Sequence, residues 1–209
     1  MEEVLDLYEK PYDPLRPVVC FDERPCQLLE EVRDPLPMSL EGNVLRFDHE
    51  YRRGGICYVS MAFEPLRGWR EVEVTEHRRG KEFALAMRRL ADEVYPDAEK
   101  IRLVCDNLST HSPAALYEIF PPDLARHLAK KIEFVYTPVH GSWLNMVEVE
   151  ISVLVRQCLK RRIPDIETLW REVEAWCEER NRLSASVNWR FRTPDARIKL
   201  RKLYPSIEP

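Results

Sequence analysis

At 209 residues the chain is long enough to bury one sizeable core, and no linker-like stretch divides it. An apolar share of 44% and a charged share of 33% exclude a disordered polymer, and no run approaches the roughly 18 apolar residues that span a bilayer. The net charge of −4 argues against a uniformly basic nucleic-acid binder, but the charge is unevenly spread: residues 1–50 carry thirteen acids against five Lys/Arg, and residues 155–202 carry thirteen Lys/Arg against seven acids.

A basic C-terminal part suits a polyanion such as DNA, and it equally suits a solvated helical surface. The acidic start Met1-Glu2-Glu3 is no signal peptide. Cysteines at 20, 26, 57, 105, 158 and 177 lack Cys-x-x-Cys spacing, and several lie inside apolar runs. They read as reduced core residues in a reducing compartment, the cytoplasm, and not as zinc ligands or a disulfide framework.

In chain order, Val18-Val19-Cys20-Phe21 predicts a buried strand at 17–22 that ends on Asp22. A loop punctuated by Pro25, Pro35 and Pro37 follows, then a strand at 43–51, the turn Arg53-Gly54-Gly55 and a strand at 56–63. Glu71-Val72-Glu73-Val74-Thr75 alternates as a half-exposed strand does. Gly80 precedes a helix at 81–94 with Phe83, Met87, Leu90 and Val94 on one face. Ile101-Arg102-Leu103-Val104-Cys105 is a second buried strand, and it runs into Asp106. Ser112-Pro113, a cap followed by proline, opens the next helix. A strand at 132–136 leads through Pro138 and Gly141 into a helix carrying Glu148, and the last third is read as helical. Antiparallel strands followed by β-α-β-α alternation predict a mixed sheet flanked by helices.

Three acids among thirty-six would mean little by themselves. Two at the ends of strands and a third on a helix after another strand form a rarer pattern. A short aspartate on a rigid strand end fixes its oxygens, while a glutamate on a helix reaches in from the side. Such carboxylates hold Mg²⁺, a hard cation, and two ions about 4 Å apart can activate an attacking oxygen and stabilise a leaving one. On the third element Leu144, Val147, Ile151, Leu154 and Cys158 form the buried stripe, bordered by the polar stripe Asn145, Glu148, Ser152 and Arg156. Glu150 borders the same buried stripe on its other side, so helix geometry leaves Glu148 and Glu150 both open.

The segment Asp106-Asn107-Leu108-Ser109-Thr110-His111, with the run from Tyr136 through Trp143-Leu144-Asn145-Met146-Val147-Glu148, resembles the catalytic region of DDE superfamily endonucleases. Within that superfamily it is similar to the transposases of bacterial insertion sequence family 630, relatives of the mariner elements. Val19-Cys20-Phe21-Asp22-Glu23 resembles the strand bearing that family's first aspartate, and residues 188–197 resemble its closing segment. The resemblance implies a catalytic and metal-binding triad of Asp22, Asp106 and Glu148, since the family's last acid follows Trp-Leu-Asn-x-x-Glu. It implies a ribonuclease-H-like fold, a five-stranded mixed sheet flanked by helices with its first and fourth strands adjacent, and a helical C-terminal extension. It further implies two Mg²⁺ ions, replaceable by Mn²⁺, and transfer of a freed 3′-hydroxyl into target DNA. Helix-turn-helix domains usually precede this core; with a lead of residues 1–16 only, the chain reads as a single catalytic domain over 1–209, its extension at 163–209.

The remaining candidates carry two readings each. His111 orients a phosphate or water, or is a capping or surface histidine. Asn107 and Asn145 bond metal-held water or shape turns, while Glu23 forms a structural salt bridge on the opposite strand face. Trp143 reads as a core anchor for the Glu148 helix. Lys160, Arg161 and Arg162 contact DNA phosphates or form a solvated helix end. Trp189-Arg190-Phe191-Arg192 stacks on unpaired bases or packs on the core, with Arg190 and Arg192 as DNA contacts. The expected partners are DNA and a second copy or a full-length transposase, with no membrane. The competing expectation is a non-catalytic DNA-binding or dimerising fragment that modulates a full-length transposase.

Overall fold

Apolar residues on the first strand alternate between two faces, and each face acquires its own core. In the computed structural model, which describes residues 1–33 and 49–204, β1 (Val18–Glu31) buries Val19 and Phe21 on one face and Cys20 and Leu28 on the other. It pairs antiparallel with β2 (Tyr51–Glu64), which pairs antiparallel with β3 (Trp69–Thr75). On its other side β1 pairs parallel with β4 (Ile101–Cys105), and β4 with β5 (Ile132–Tyr136). The order β3-β2-β1-β4-β5 makes the first and fourth strands neighbours, as the ribonuclease-H-like expectation requires.

One face is covered by α2 (Gly80–Arg89), α3 (Pro113–Ile119) and α4 (Pro122–Lys131), whose Phe83, Met87, Leu116 and Leu128 bury against Ile101 and Leu103. Ser112 caps α3 with Pro113 at its first position, as predicted. The predicted helix at 81–94 is α2 followed by a wider turn, Leu90–Val94, in which Tyr95 N donates to Leu90 O at 2.9 Å. The other face carries α1 (Glu2–Tyr8), α5 (Val147–Gln157), α6 (Ile166–Arg182) and α7 (Thr193–Lys199), packed on Val59, Met61 and Phe63. The lead and the C-terminal extension are thus built onto the sheet: α1 buries Val4, Leu5 and Leu7, and α6 lies against β3.

Several expectations are revised. The turn Arg53-Gly54-Gly55 is a bulge inside a single strand: Leu28 pairs with Gly55 and Leu29 with Arg53, which leaves Gly54 as the extra residue. Gly55 sits at φ +108°, a conformation that glycine adopts without Cβ strain. Of the strand expected at 43–51, residues 43–48 lie outside the described residues, and Tyr51 already opens β2. Pro25 lies within β1 and not in a loop. Because β4 pairs only Val18–Cys20, the far edge of β1 meets no strand beyond that point among the described residues, and a missing N–H is tolerated there. The extension is not helical throughout, since α6 and α7 are separated by irregular chain over 184–192; residues 205–209 lie outside the described residues. All six cysteines are free, and among the described residues no helix is long and apolar enough to cross a membrane.

Candidate active site

Strand register brings the two aspartates together. Cys20 pairs with Val104 in the parallel ladder, so two residues further on Asp22 and Asp106 lie on neighbouring strands on the face of Cys20 and Val104. Asp106 follows the end of β4, whereas the strand expected to end on Asp22 runs on to Glu31, because β2 keeps pairing with it. Neighbouring strands are about 4.8 Å apart. That face is the one α5 covers, with Glu148 in its first turn. The start of α5 is pinned there: Asn145 Nδ2 donates to Phe21 O at 2.8 Å, and Tyr8 Oη donates to Leu144 O at 2.8 Å.

Burial pushes the Asp22 carboxyl up to about 7, with Glu148, Asp106 and Glu23 adding their negative charge; the Glu23 N–H, donating to Asp22 Oδ1 at 2.7 Å, works the other way. Asp106 and Glu148 are thus near enough for their charge to be felt at Asp22. All three carboxylates are half-buried and offer the hard oxygen atoms that Mg²⁺ or Mn²⁺ takes. Among the described residues no three His, Cys, Asp or Glu side chains are grouped so that they could together hold a metal ion. Magnesium needs only one or two carboxylates, the rest of its shell being water and phosphate oxygens.

His111 is fully buried, which corrects the capping or surface reading. Its Nδ1 lies 2.5 Å from Asp106 Oδ1, and its Nε2 lies 2.9 Å and 3.0 Å from the two Glu23 oxygens. Phe21 meets the ring edge-on and Phe83 tilts over it. Burial would lower the imidazole pKa, but the bonds and charges of Asp106 and Glu23 outweigh it and raise it to about 9. A doubly donating imidazolium thus holds Asp106 in place, and Glu23 forms the ion pair expected of it. The only sequence signal was the spacing of five residues from Asp106, which no local periodicity explains. Asn107 is exposed, whereas Asn145 is buried with its Oδ1 unbonded.

Glu150 is not available to a ligand. It is 1% exposed, accepts two bonds from Arg180 at 2.9 Å and 2.8 Å, and lies 3.0 Å from Arg70 Nε, off the direction of a hydrogen bond. Arg70 is itself buried, stacks on Phe63 and exchanges backbone bonds with the Asn181 amide. Glu150 thereby locks α5 to β3 and α6, which leaves half-buried Glu148 as the acid in the first turn of α5 still open to a ligand.

The basic candidates divide. Arg162 bonds Glu31 at 2.5 Å and stacks on Tyr51, and Arg161 pairs with Glu172 at 2.5 Å. Lys160 is exposed. Trp189 turns inward onto Tyr8 and Phe191 meets Trp143, while Arg190 and Arg192 between them are exposed. Trp143 is not a core anchor, being 43% exposed. Its position follows from the short 3₁₀ turn Ser142–Leu144, which sends Leu144 inward and Trp143 out.

Comparison with known proteins follows from this geometry. The family described as DDE superfamily endonuclease matches residues 17–170, from the strand that bears Asp22 into α6. No curated protein sequence matches. Among solved structures, the chain is similar to the Mos1 transposase paired-end complex with left transposon end, at 14% identity and TM-score 0.47, covering 88% of this chain and 59% of that one. It is also similar to the Mos1 strand transfer complex, at 14% identity and TM-score 0.44, covering 90% and 60%. The chain thus spans about three fifths of the length of those transposase chains. With the family match running unbroken through the strands and helix that carry Asp22, Asp106 and Glu148, this chain belongs to the DDE superfamily of endonucleases.

Proposed function

We propose that this chain is the catalytic domain of a mariner-related transposase, cutting phosphodiesters at the ends of a mobile element and joining the freed 3′-hydroxyl to target DNA. The observation that supports the reading is the register that pairs Cys20 with Val104 and so carries Asp22 and Asp106 on neighbouring strands, on the sheet face against which α5, with Glu148 in its first turn, is packed. A bound Mg²⁺ or Mn²⁺ supplies positive charge that activates the attacking oxygen and stabilises the leaving one. Asp22 on β1, Asp106 just past β4 and Glu148 on α5 are the residues that would hold it. His111 orients Asp106 through a 2.5 Å bond, and Asn145 keeps the first turn of α5 against β1. DNA is the partner this chemistry requires, with exposed Arg190, Arg192 and Lys160 as phosphate contacts, and the protein acts in the cytoplasm as a homodimer or beside a full-length transposase.

The test is incubation with supercoiled plasmid and Mg²⁺ or Mn²⁺, read as nicked and linear DNA on a gel. Wild type should nick and Asp106→Asn should not. A second reading, a non-catalytic protein that binds DNA and modulates a full-length transposase, draws on the finding that among the described residues no three His, Cys, Asp or Glu side chains are grouped to hold a metal. DNA binding without nicking by the wild type would favour it.

A further inference from the structure

The sheet ends at β3, and the outer side of that strand is only partly covered. Arg70 N–H donates to the Asn181 side-chain oxygen at 2.8 Å, and Arg70 O accepts from the Asn181 amide at 2.7 Å, so Arg70 turns its backbone away from β2. Backbone direction alternates along a strand, and Val72 and Val74 therefore turn theirs outward as well. The Cys177 thiol donates to Arg70 O at 3.4 Å and has the Val72 N–H beside it. Beyond that point, among the described residues, no strand or side chain takes up the Val72 carbonyl or the Val74 N–H and C=O. One stripe of α6 accounts for the difference. Asn181, Cys177, Glu174 and Trp170 recur every three or four residues and so follow the edge on one helix face. The first two seal the Arg70 end. At the other end Glu174 and Trp170 line a cleft of about 230 Å³ with Val72, Glu73, Val74 and Arg89.

The cleft lies at the rim between the two helical layers, since α6 covers one face of the sheet and α2, which carries Arg89, the other. It is smaller than the roughly 300 Å³ at which small-molecule sites begin, and its size suits the side chains of a peptide. Trp170, 49% exposed, stands on its α6 side. Isolated exposed aromatics are ordinary, and glutamates on an edge strand commonly guard it against pairing with another copy. The guard here is selective. Glu71 and Glu73, on the α2 face, are half-buried, and burial holds both carboxyls above the usual carboxylate range while Arg89 opposes it. Arg89 pairs with Glu71 at 2.8 Å, whereas Glu73 and Glu174 make no ion pair among the described residues. A second copy would bring its own glutamates against these acids. A cationic strand would meet carboxylates in need of a partner.

We propose that the outer edge of β3 receives an extended segment of another protein as a further strand, in which apolar residues alternate with Lys or Arg. Opposed side chains on neighbouring strands share a face. The apolar set therefore lies beside Val72, Val74 and Trp170, and the basic set beside Glu71 and Glu73. In such strand addition the backbone bonds supply affinity, and the alternate side chains supply specificity. The edge uses none of the carboxylates assigned to the metal, and it stands whether or not the chain cuts DNA.

The test is fluorescence anisotropy with short labelled peptides that alternate valine with lysine or valine with glutamate. Wild type should bind the valine–lysine peptide more tightly by about fivefold or more, since one opposed charge pair is worth up to about fivefold. Glu73→Lys should remove or reverse that preference. Trp170→Ala should weaken valine–lysine binding by about two- to fivefold, the worth of one aromatic–aliphatic pair. Both variants should melt with the wild type, which reports that they fold. N-methylation of one alternate set of peptide amides should abolish binding and of the other set spare it, because only one side of an added strand bonds to β3. No binding of the valine–lysine peptide, equal binding of the two peptides, equal loss from either methylation, or binding undiminished in Trp170→Ala overturns the strand site. A wild type that dimerises in sedimentation, loses its dimer in Trp170→Ala and ignores the peptide overturns it in favour of a second copy.

Discussion

Glu148 and Glu150 sit two positions apart on one helix and have opposite fates, because their surroundings differ in charge. Glu150 is enclosed by Arg70 and Arg180, so its removal leaves two guanidinium groups, one of them fully buried, without their counter-charge. Glu150→Ala should therefore lose about 3–5 kcal/mol of stability in a urea titration. Glu148 instead adds to the repulsion felt by Asp22. Glu148→Gln should leave stability without metal unchanged or slightly raised, since it removes a like charge. A large loss in Glu148→Gln, with Glu150→Ala tolerated, would mean that the two roles are exchanged. His111 illustrates a third circumstance: a buried imidazole shared by Asp106 and Glu23 couples the two faces of β1 at the site.

At the scale of elements, the site depends on how α5 is docked. Its stripe of Leu144, Val147, Ile151 and Leu154 is buried as the periodicity predicted, and that decides which side faces the sheet. Periodicity does not decide where along the sheet the helix begins. Asn145 and Tyr8 do, through bonds to Phe21 O and Leu144 O. Asn145→Ala should cost about 1–3 kcal/mol in thermal or urea unfolding, because the Phe21 carbonyl loses a buried donor. It should also weaken stabilisation by Mn²⁺, since Glu148 is no longer held beside Asp22. Unchanged metal response in that variant would show that α5 is positioned by apolar packing alone. The β1–β2 hairpin shows the converse limit: Gly54-Gly55 signals a break in regular pairing, and only the register on both sides distinguishes a bulge from a turn.

Across the whole molecule, the uneven charge does two jobs. Arg197 forks onto Glu2 with two 2.8 Å bonds and Arg162 bonds Glu31, so part of the C-terminal excess ties the two ends of the chain together. Arg190 and Arg192, on either side of Phe191, are exposed and make no ion pair among the described residues. Replacing Arg190 and Arg192 together with alanine should leave the melting temperature unchanged and lower the salt slope of DNA binding by about two. The replacement of Arg162 should cost stability instead. Metal acts on the molecule as a whole through linkage: Mg²⁺ or Mn²⁺ should raise the wild-type melting temperature and leave Asp106→Ala unmoved. An equal shift in both proteins would place the cation elsewhere.

Some of this was legible in the residues themselves. Two buried apolar runs each followed by an aspartate, the Ser112-Pro113 cap, the α2 and α5 stripes and the Trp-Leu-Asn-x-x-Glu segment are local patterns, although the first strand runs on past its aspartate to Glu31. Local patterns report which face of an element avoids water, because that is set by residues within a turn or two. The tertiary structure decided what those patterns leave open: that Asp22 lies beside Asp106, that Glu150 is consumed by two arginines, that His111 is buried between acids 83 residues apart in sequence, and that Trp143 is turned out. Each depends on a partner far along the chain. A side chain's charge and reach are written in its type, but its partner is chosen only when the sheet closes and the helices dock.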